Sequence, residues 1–266
     1  MSVLFNYNFN INILLRGLKY MAAIYLIRHG QASFGKKDYD QLSEKGNKQS
    51  HLLGQFWQSL SPPDKIYSGD LTRHRQTLAH FLIGYQGSEP SVILHSGFNE
   101  FNHVDLLTCY DAKWKNFAQM SASIGKAADA NTVFQQEFVS ALQRWVSGEY
   151  DHEYNESWCQ FKQRCIAALQ QVIKQQSTTK TIQTTKIKSN NTQQAKDICI
   201  FTSGGTISVI IQHILGLSDE KTLEINQQIR NASVTKVLFS ENNTSIDYFN
   251  NYSHLTSAGT DWITFR

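Results

Sequence analysis

The sequence predicts an α/β fold, a three-layer αβα sandwich with a mostly parallel central sheet. Short apolar runs alternate with amphipathic helical patterns along the chain, as expected for βαβ units. The 266 residues are 41% hydrophobic and 12% aromatic, which is enough for a substantial core. The first apolar run ends at Arg28-His29-Gly30, and open α/β sheets bind ligands at such strand ends.

Four apolar runs are predicted as core strands: Ile24 to Ile27, Lys65 to Tyr67, Val92 to Leu94 and Ile198 to Phe201. Between and after them, apolar side chains recur at helical spacing, and we expect their aromatic members to lie in the core. These groups are Leu52, Leu53, Phe56, Trp57 and Leu60; Trp158, Phe161, Cys165, Ala168 and Val172; and Ile207, Ile210, Ile211 and Ile214. Residues 234–239 and 245–249 predict an antiparallel hairpin around Glu241-Asn242-Asn243.

The chain is predicted to form one domain, residues 22–266, with two inserts. Residues 102–149 add helical material that includes Phe134, Phe138, Leu142 and Trp145. Residues 176–196 are rich in Gln, Thr, Lys and Asn, so we expect a flexible loop that cannot bury enough surface to offset its ordering entropy. Residues 1–21 lack the features of a signal peptide, and we expect either a disordered extension or a misassigned start upstream of Met21.

Charge and cysteine usage narrow the classes of partner. Lys and Arg number 25 and Asp and Glu 22, and the resulting charge of +3 is too small to imply a nucleic-acid surface. Nothing in the composition demands a membrane partner, and no cofactor is expected. No metal is implied, because no His or carboxylate spacing forms a ligand set. Cys109, Cys159, Cys165 and Cys199 have no paired spacing, which predicts reduced thiols and a cytoplasmic protein.

Two segments combine residue types suited to phosphate chemistry. In Arg28-His29-Gly30, a histidine can attack phosphorus, an arginine can hold phosphate oxygens, and a glycine admits a close anion. The segment from Ile66 to Thr77 reads as a second strand, turn and helix start, and it carries another basic cluster around Arg73. A local positive pocket for a phosphorylated small molecule fits these segments, and a phosphoprotein is the alternative partner.

Together these segments resemble the histidine phosphatase superfamily, the phosphoglycerate mutase-like proteins, from about Ala23 to the C-terminus. Further matches are Asp40-Gln41-Leu42-Ser43-Glu44-Lys45-Gly46, Phe98-Asn99-Glu100-Phe101 and Glu156-Ser157. The resemblance implies a phosphoglycerate mutase-like fold. It also implies that residues 102–149 form a lid over the active site, where substrate choice would reside.

The resemblance implies a role for each matching residue. His29 is the expected nucleophile, whose neutral imidazole accepts the phosphoryl group, and Glu100 is the expected general acid. Arg75 is expected to point away from Arg73 and to lie outside the pocket. The expected substrate-binding residues are Arg28, Arg73, Gly30, Gln31 and Ser203.

Ser203 is the departure from the family pattern. The family usually has a histidine followed by two glycines where this chain has Ser203-Gly204-Gly205, so the second catalytic histidine is replaced by serine. Losing one transition-state donor typically lowers the rate about 10² to 10³-fold. The amides at the start of the following helix are expected to soften the loss by pointing at the anion. His74, His103 and His254 are candidate substitutes, and their spacing favours none of them.

The function predicted from the sequence is a metal-independent phosphomonoesterase that acts through a phosphohistidine and is slowed by Ser203. Two alternatives remain. One is a phosphoglycerate mutase-type phosphotransferase. The other is an inactive phosphate-binding or interaction protein, a pseudo-enzyme, which the serine would explain.

Overall fold

The computed structural model describes residues 22–33, 40–87, 90–116, 130–184, 197–240 and 243–265. Its sheet has six strands in the order β3-β2-β4-β1-β5-β6. The strands are β1 (Ala22–Arg28), β2 (Lys65–Ser68), β3 (Ser91–Leu94), β4 (Ile198–Thr202), β5 (Val234–Phe239) and β6 (Thr244–Asn251). The first four are parallel to one another, and β5 and β6 form the predicted antiparallel hairpin. The prediction of a mostly parallel α/β sheet is therefore confirmed.

Eight α-helices lie within the described residues. They are α1 (Glu44–Trp57), α2 (Thr72–Tyr85), α3 (His103–Tyr110), α4 (Ala130–Val146), α5 (Trp158–Thr184), α6 (Gly204–Leu215), α7 (Asp219–Gln228) and α8 (Ser253–Ala258). Across the described ranges, no helix combines the length and apolar character needed to span a membrane.

Helices cover both faces of the sheet because successive strand side chains point to opposite sides. On one face, Leu26 of β1 lies in a core cluster with Leu169 of α5 and Ile207 of α6. On the other face, Ile27 lies in a second cluster with Trp57 of α1 and Phe81 of α2. This alternation produces the three layers.

The strand register brings the ends of β1 and β4 together. The two strands are parallel, with Arg28 opposite Thr202, so His29 and Ser203 leave the sheet side by side at its carboxyl edge. The amide of His29 donates to the carbonyl of Thr202 across 2.9 Å. Since β2 lies on the other side of β4, the loop that leads into α2 starts at the same edge.

A third apolar cluster lies away from the sheet and is built largely from the insert 102–149. Phe138, Leu142 and Trp145 of α4 are buried in it, together with Trp114 and with Phe161 of α5. The described parts of the insert are thus largely helical and packed against α5. Residues 117–129 of the insert lie outside the described ranges.

Two expectations about the core are wrong. Val92, Ile93 and Leu94 are 42%, 38% and 53% exposed, because β3 is an edge strand that pairs only with β2. Phe56, an aromatic residue expected in the core, is 42% exposed. It stands on the outer side of α1, with its ring 6.1 Å from that of His254. Leu60 lies beyond the end of the helix at Trp57, so the predicted helical spacing does not extend to it.

The predicted loop at 176–196 is wrong in its first part. Helix α5 continues to Thr184, and Gln176 is buried. Residues 176–184 contain no Gly or Pro to end a helix, so a polar composition alone does not stop it. Residues 185–196, like the N-terminal segment 1–21, lie outside the described ranges.

Candidate active site

His29 occupies the first position after β1, and only 7% of it is exposed. Its Nδ1 lies 2.7 Å from the carbonyl oxygen of Gly30. Because a carbonyl can only accept, Nδ1 carries the hydrogen and Nε2 keeps a free lone pair. Burial, followed by the charges of Arg73 and Arg28, holds the pKa of His29 well below its ordinary value. A neutral imidazole with an unprotonated Nε2 is a competent nucleophile.

Arg28 is the last residue of β1 and is 7% exposed. Its guanidinium donates through Nη1 to the carbonyl of Ile229, just after α7. This contact fixes the side chain close enough to His29 for its charge to lower the histidine pKa. Arg28 is therefore a buried cation beside His29, where the family resemblance implies a phosphate-binding residue.

Arg73 provides a second buried cation from the first turn of α2. Its Nη1 donates to Asp40 Oδ1 across 2.6 Å, while Asp40 Oδ2 accepts from the amide of Thr72 across 2.7 Å. Asp40 thus fixes the arginine and satisfies an amide at the helix start. Arg75 is exposed, in agreement with its predicted exclusion from the pocket.

The loop after His29 is held by α1 and α2. The amide of Gly30 donates to Thr77 Oγ1, and the amide of Gln31 donates to Gln49 Oε1. The side-chain oxygen of Gln31 accepts from the hydroxyl of Ser43, the residue that caps α1. Gly30 and Gln31 therefore lie beside His29, with the Gln31 side chain turned toward the α1 cap.

Glu100 lies at the N-terminus of α6, beside the position of Ser203. Its Oε2 accepts from the amide of Gly205 across 3.0 Å, and its Oε1 accepts from the amide of Phe101 across 3.2 Å. A Cβ on Gly205 would lie 2.2 Å from Oε1, so the close approach of the carboxylate requires glycine there. The Gly205 amide, expected to point at a bound anion, is thus engaged by Glu100.

Arg164 of α5 fixes the loop that carries Glu100. It forms a two-pronged ion pair with Glu156 and donates through Nη1 to the carbonyls of Ser96, Gly97 and Asn99. The Glu156-Ser157 segment, which the sequence matched without a role, thereby supports the position of Glu100.

Ser203 is fully buried, and its Oγ lies 2.6 Å from His74 Nε2. His74 is also fully buried, and its ring centre lies 5.8 Å from that of His29. Burial and the charge of Arg73 hold the pKa of His74 well below its ordinary value, so the imidazole is neutral. Of the three histidines considered as substitutes, His74 contacts Ser203.

The other two histidines have different surroundings. His103 begins α3, and burial together with the charge of Arg73 lowers its pKa to about 4. His254 of α8 packs against Phe56, and burial lowers its pKa to about 4 as well. Neither is described in contact with Ser203.

The structure thus gathers the predicted residues at one edge of the sheet, with Arg28, His29 and Arg73 close together and Glu100 and Ser203 at the start of α6. Sequence reasoning gave no role to Asp40 or Thr77, although both lie in matching segments. Thr77 is four positions after Arg73, about one helical turn, so the spacing places the two side chains on the same face of α2.

Solved structures confirm the fold. The chain is similar to a phosphoglycerate mutase from Bacillus anthracis str. Sterne, with a TM-score of 0.58 and 16% identity over 88% of this chain and 95% of that one. It is similar to phosphoserine phosphatase from Entamoeba histolytica, with a TM-score of 0.53 and 18% identity over 88% and 98%. A mycobacterial glucosyl-3-phosphoglycerate phosphatase gives a TM-score of 0.55 and 17% identity over 86% and 99%.

Sequence comparison gives a match to a family and no match to an individual curated protein. The sequence pattern of the histidine phosphatase superfamily (branch 1) matches residues 24–120 and 122–252, which includes β1, α2, the Glu100 loop and the start of α6. Because this match covers most of its length, the chain belongs to branch 1 of the histidine phosphatase superfamily.

Proposed function

We propose that this protein is a metal-independent phosphomonoesterase that acts through a phosphohistidine on His29. One observation carries the proposal. The buried imidazole of His29 is neutral, its Nδ1–H donates to the carbonyl of Gly30, and two buried arginines, Arg28 and Arg73, lie nearby. Phosphoryl transfer depends chiefly on positioning and on neutralising the charge of the equatorial oxygens, and these residues supply both.

In the first step, Nε2 of His29 forms a bond to phosphorus as the bond from phosphorus to the leaving oxygen breaks. Arg28 and Arg73 hold the phosphoryl oxygens during the transfer. Glu100, protonated at this stage, gives its proton to the leaving oxygen, so the product departs as an alcohol. The products of this step are the phosphohistidine, a free alcohol and the Glu100 carboxylate.

In the second step, the Glu100 carboxylate takes a proton from a water molecule while the water oxygen attacks phosphorus. The bond between phosphorus and Nε2 breaks, and its electron pair returns to the imidazole. Inorganic phosphate leaves, His29 is neutral again, and Glu100 holds the proton for the next cycle. The two amide hydrogen bonds to Glu100 keep one carboxyl group in place for both roles.

The substrate that fits these residues best is a phosphorylated small molecule, and we place its hydrolysis in the cytoplasm. Arg28, His29 and Arg73 are each less than one-tenth exposed. Such restricted access favours a compact phosphate monoester over a phosphoprotein surface. Two of the similar structures are phosphatases named for small phosphorylated compounds, phosphoserine and glucosyl-3-phosphoglycerate.

The test is phosphate release from p-nitrophenyl phosphate and a panel of phosphorylated metabolites, in the presence of EDTA. We expect turnover by the wild type, loss of about 10⁴-fold or more in His29→Ala, and no change in His213→Ala, an exposed histidine that serves as the matched control. Acid quenching should trap an acid-labile phosphoenzyme in the wild type and none in His29→Ala.

An inactive, phosphate-binding protein is the second candidate, and Ser203 at the position of the second histidine favours it. Under that alternative, the wild type would bind phosphate or vanadate without turnover and without a trapped phosphoenzyme. A phosphotransferase would instead move the trapped phosphoryl group to a second phosphorylated metabolite faster than to water.

A further inference from the structure

A second imidazole lies at the catalytic edge although the usual second histidine is absent. His74 Nε2 is 2.6 Å from the hydroxyl of Ser203, and the ring of His74 is 5.8 Å from the ring of His29. The register between β1 and β4 independently places Ser203 beside His29. An imidazole is thus present near the nucleophile, and it comes from α2 instead of from the end of β4.

His74 is closely packed on all sides of its ring. The ring is fully buried, and among the described residues its Nδ1 has no hydrogen-bond partner. A Cβ on Gly69 would lie 2.2 Å from this nitrogen, so the ring is accommodated only because residue 69 is glycine. Burying a nitrogen without a partner is unfavourable, and an apolar side chain would avoid this. The imidazole therefore lacks a hydrogen bond at Nδ1 but forms one with Ser203 at Nε2.

Ser203 is also committed to this contact. It is the residue before the first turn of α6, where a serine side chain normally accepts from a backbone amide of the helix. Here its side chain makes no such bond and is turned toward His74 instead. Both partners therefore give up an ordinary interaction to form this one.

We propose that His74 and Ser203 together replace the second histidine, with His74 as a positioning residue that orients the Ser203 hydroxyl toward the phosphoryl group. The inference rests on the proposed phosphatase function. His74 Nε2–H donates to Ser203 Oγ, and the hydroxyl hydrogen of Ser203 is then free to donate to a phosphoryl oxygen. No proton is transferred along this pair. The hydrogen bonds tighten as charge develops on the phosphoryl oxygens, so the pair acts on the rate.

The pairing also predicts that restoring a histidine at residue 203 alone does not raise turnover. The space that an imidazole at residue 203 would require is already occupied by His74, since the two side chains touch and both are fully buried. Ser203→His alone should therefore crowd the site and fail to raise turnover. The exchange variant His74→Ala/Ser203→His removes one ring and supplies the other, which restores the arrangement usual in the family.

The test measures kcat and KM for p-nitrophenyl phosphate, with thermal unfolding as the control for folding. His74→Phe keeps a ring and removes the donor, and Ser203→Ala removes the hydroxyl. We expect each to lower kcat about 10²-fold with little change in KM, and the double variant to be no slower than either single one. The exchange variant should regain or exceed the wild-type kcat. Formation of the trapped phosphoenzyme should slow in proportion to kcat in the single variants.

The outcomes separate this inference from the proposed function. Wild-type kcat in a folded His74→Phe, or losses that multiply in the double variant, would overturn the pairing and leave the phosphatase assignment standing. If the single variants do not fold, the exchange variant decides: a folded but inactive exchange overturns the pairing, and an active one supports it. Absence of turnover and of phosphoenzyme in the wild type would overturn both proposals together.

Discussion

The two sides of the proposed active site, the nucleophile side at His29 and the donor side at Ser203, are built differently. On the nucleophile side, the imidazole of His29 is oriented by a backbone carbonyl, that of Gly30, and the following loop is held by Thr77 and Gln49. On the donor side, two side chains that are 129 positions apart in the sequence, His74 and Ser203, depend on each other. The nucleophile side has the residues that the family resemblance implies, whereas the donor side has Ser203 in contact with His74 where the resemblance implies a histidine. A group oriented by a backbone carbonyl keeps that partner whatever residue supplies the carbonyl, whereas a group oriented by a side chain depends on the identity of a second residue.

The largest expected effect is on the nucleophile side. Arg73→Ala should lower kcat/KM by about 10³-fold, because a buried cation that faces the transferring oxygens is lost. Asp40→Asn should lower it by about 10-fold, because the arginine keeps its charge and loses the carboxylate that fixes it. The measurement is steady-state phosphate release, and Arg75→Ala, an exposed arginine on the same helix, is the control. Equal losses in the Arg73 and Arg75 variants would mean that general charge, not a fixed cation, is responsible.

The second prediction concerns Glu100, which stands between the two sides. Glu100→Gln should lower kcat/KM for an alkyl phosphate about 10²-fold and kcat/KM for p-nitrophenyl phosphate much less, because p-nitrophenolate leaves without a proton and kcat/KM reports only the step that forms the phosphohistidine. Gly205→Ala should reproduce this pattern, since its methyl group would displace the carboxylate. The ratio of the two rates is the measurement. A loss independent of the leaving group would contradict a general-acid role.

The third prediction concerns Gly69, which packs against His74 on the donor side. Gly69→Ala should lower kcat about 10-fold, because its Cβ would press on His74 Nδ1. In a His74→Ala background, the same substitution should have little further effect, and a double-mutant cycle of kcat gives the coupling. Additive losses would show that Gly69 acts on something other than His74.

The smallest expected effect is on the pH dependence of the free energy of unfolding, to which both His29 and His74 contribute. The pKa values of His29 and His74 are lowered on folding, mainly by burial, so the unfolded chain binds more protons than the folded one below about pH 6.5. Stability should therefore be constant near pH 8 and fall as the pH drops below 6.5. Each such histidine contributes up to about 1.4 kcal/mol per pH unit there. Urea unfolding at pH 7.5 and pH 5.5 measures the slope, which should be shallower in His74→Phe than in the wild type.

The sequence predicts the sheet and the nucleophile side well, because both depend on local signals. Runs such as Ile24 to Ile27 and Ile198 to Phe201 are short, apolar and bounded, and they form central strands. His29 and Arg73 sit in motifs whose spacing is read directly from the chain. The Asp40 contact was not predicted because a carboxylate in a loop carries no signal of which arginine it will meet.

The remaining differences arise from tertiary position. Val92 to Leu94 has the same apolar character as the central strands, but only the order of strands in the sheet determines which run lies at the edge. Likewise, spacing did not separate His74 from His103 and His254 as partners of Ser203. That choice depends on β2 and β4 being neighbours, which brings the start of α2 to the end of β4.

The contact between His74 and Ser203 has a consequence for how relatives of this protein evolve and are recognised. If neither residue functions without the other, then a lineage cannot pass between the two arrangements by one favourable substitution, and an intermediate with two imidazoles or with none is disadvantaged. Positions 74 and 203 should therefore change together among homologues. If positions 74 and 203 are compared with the family pattern separately, such a chain is classified as a degenerate enzyme. If the two positions are compared as a pair, it is classified as an intact one.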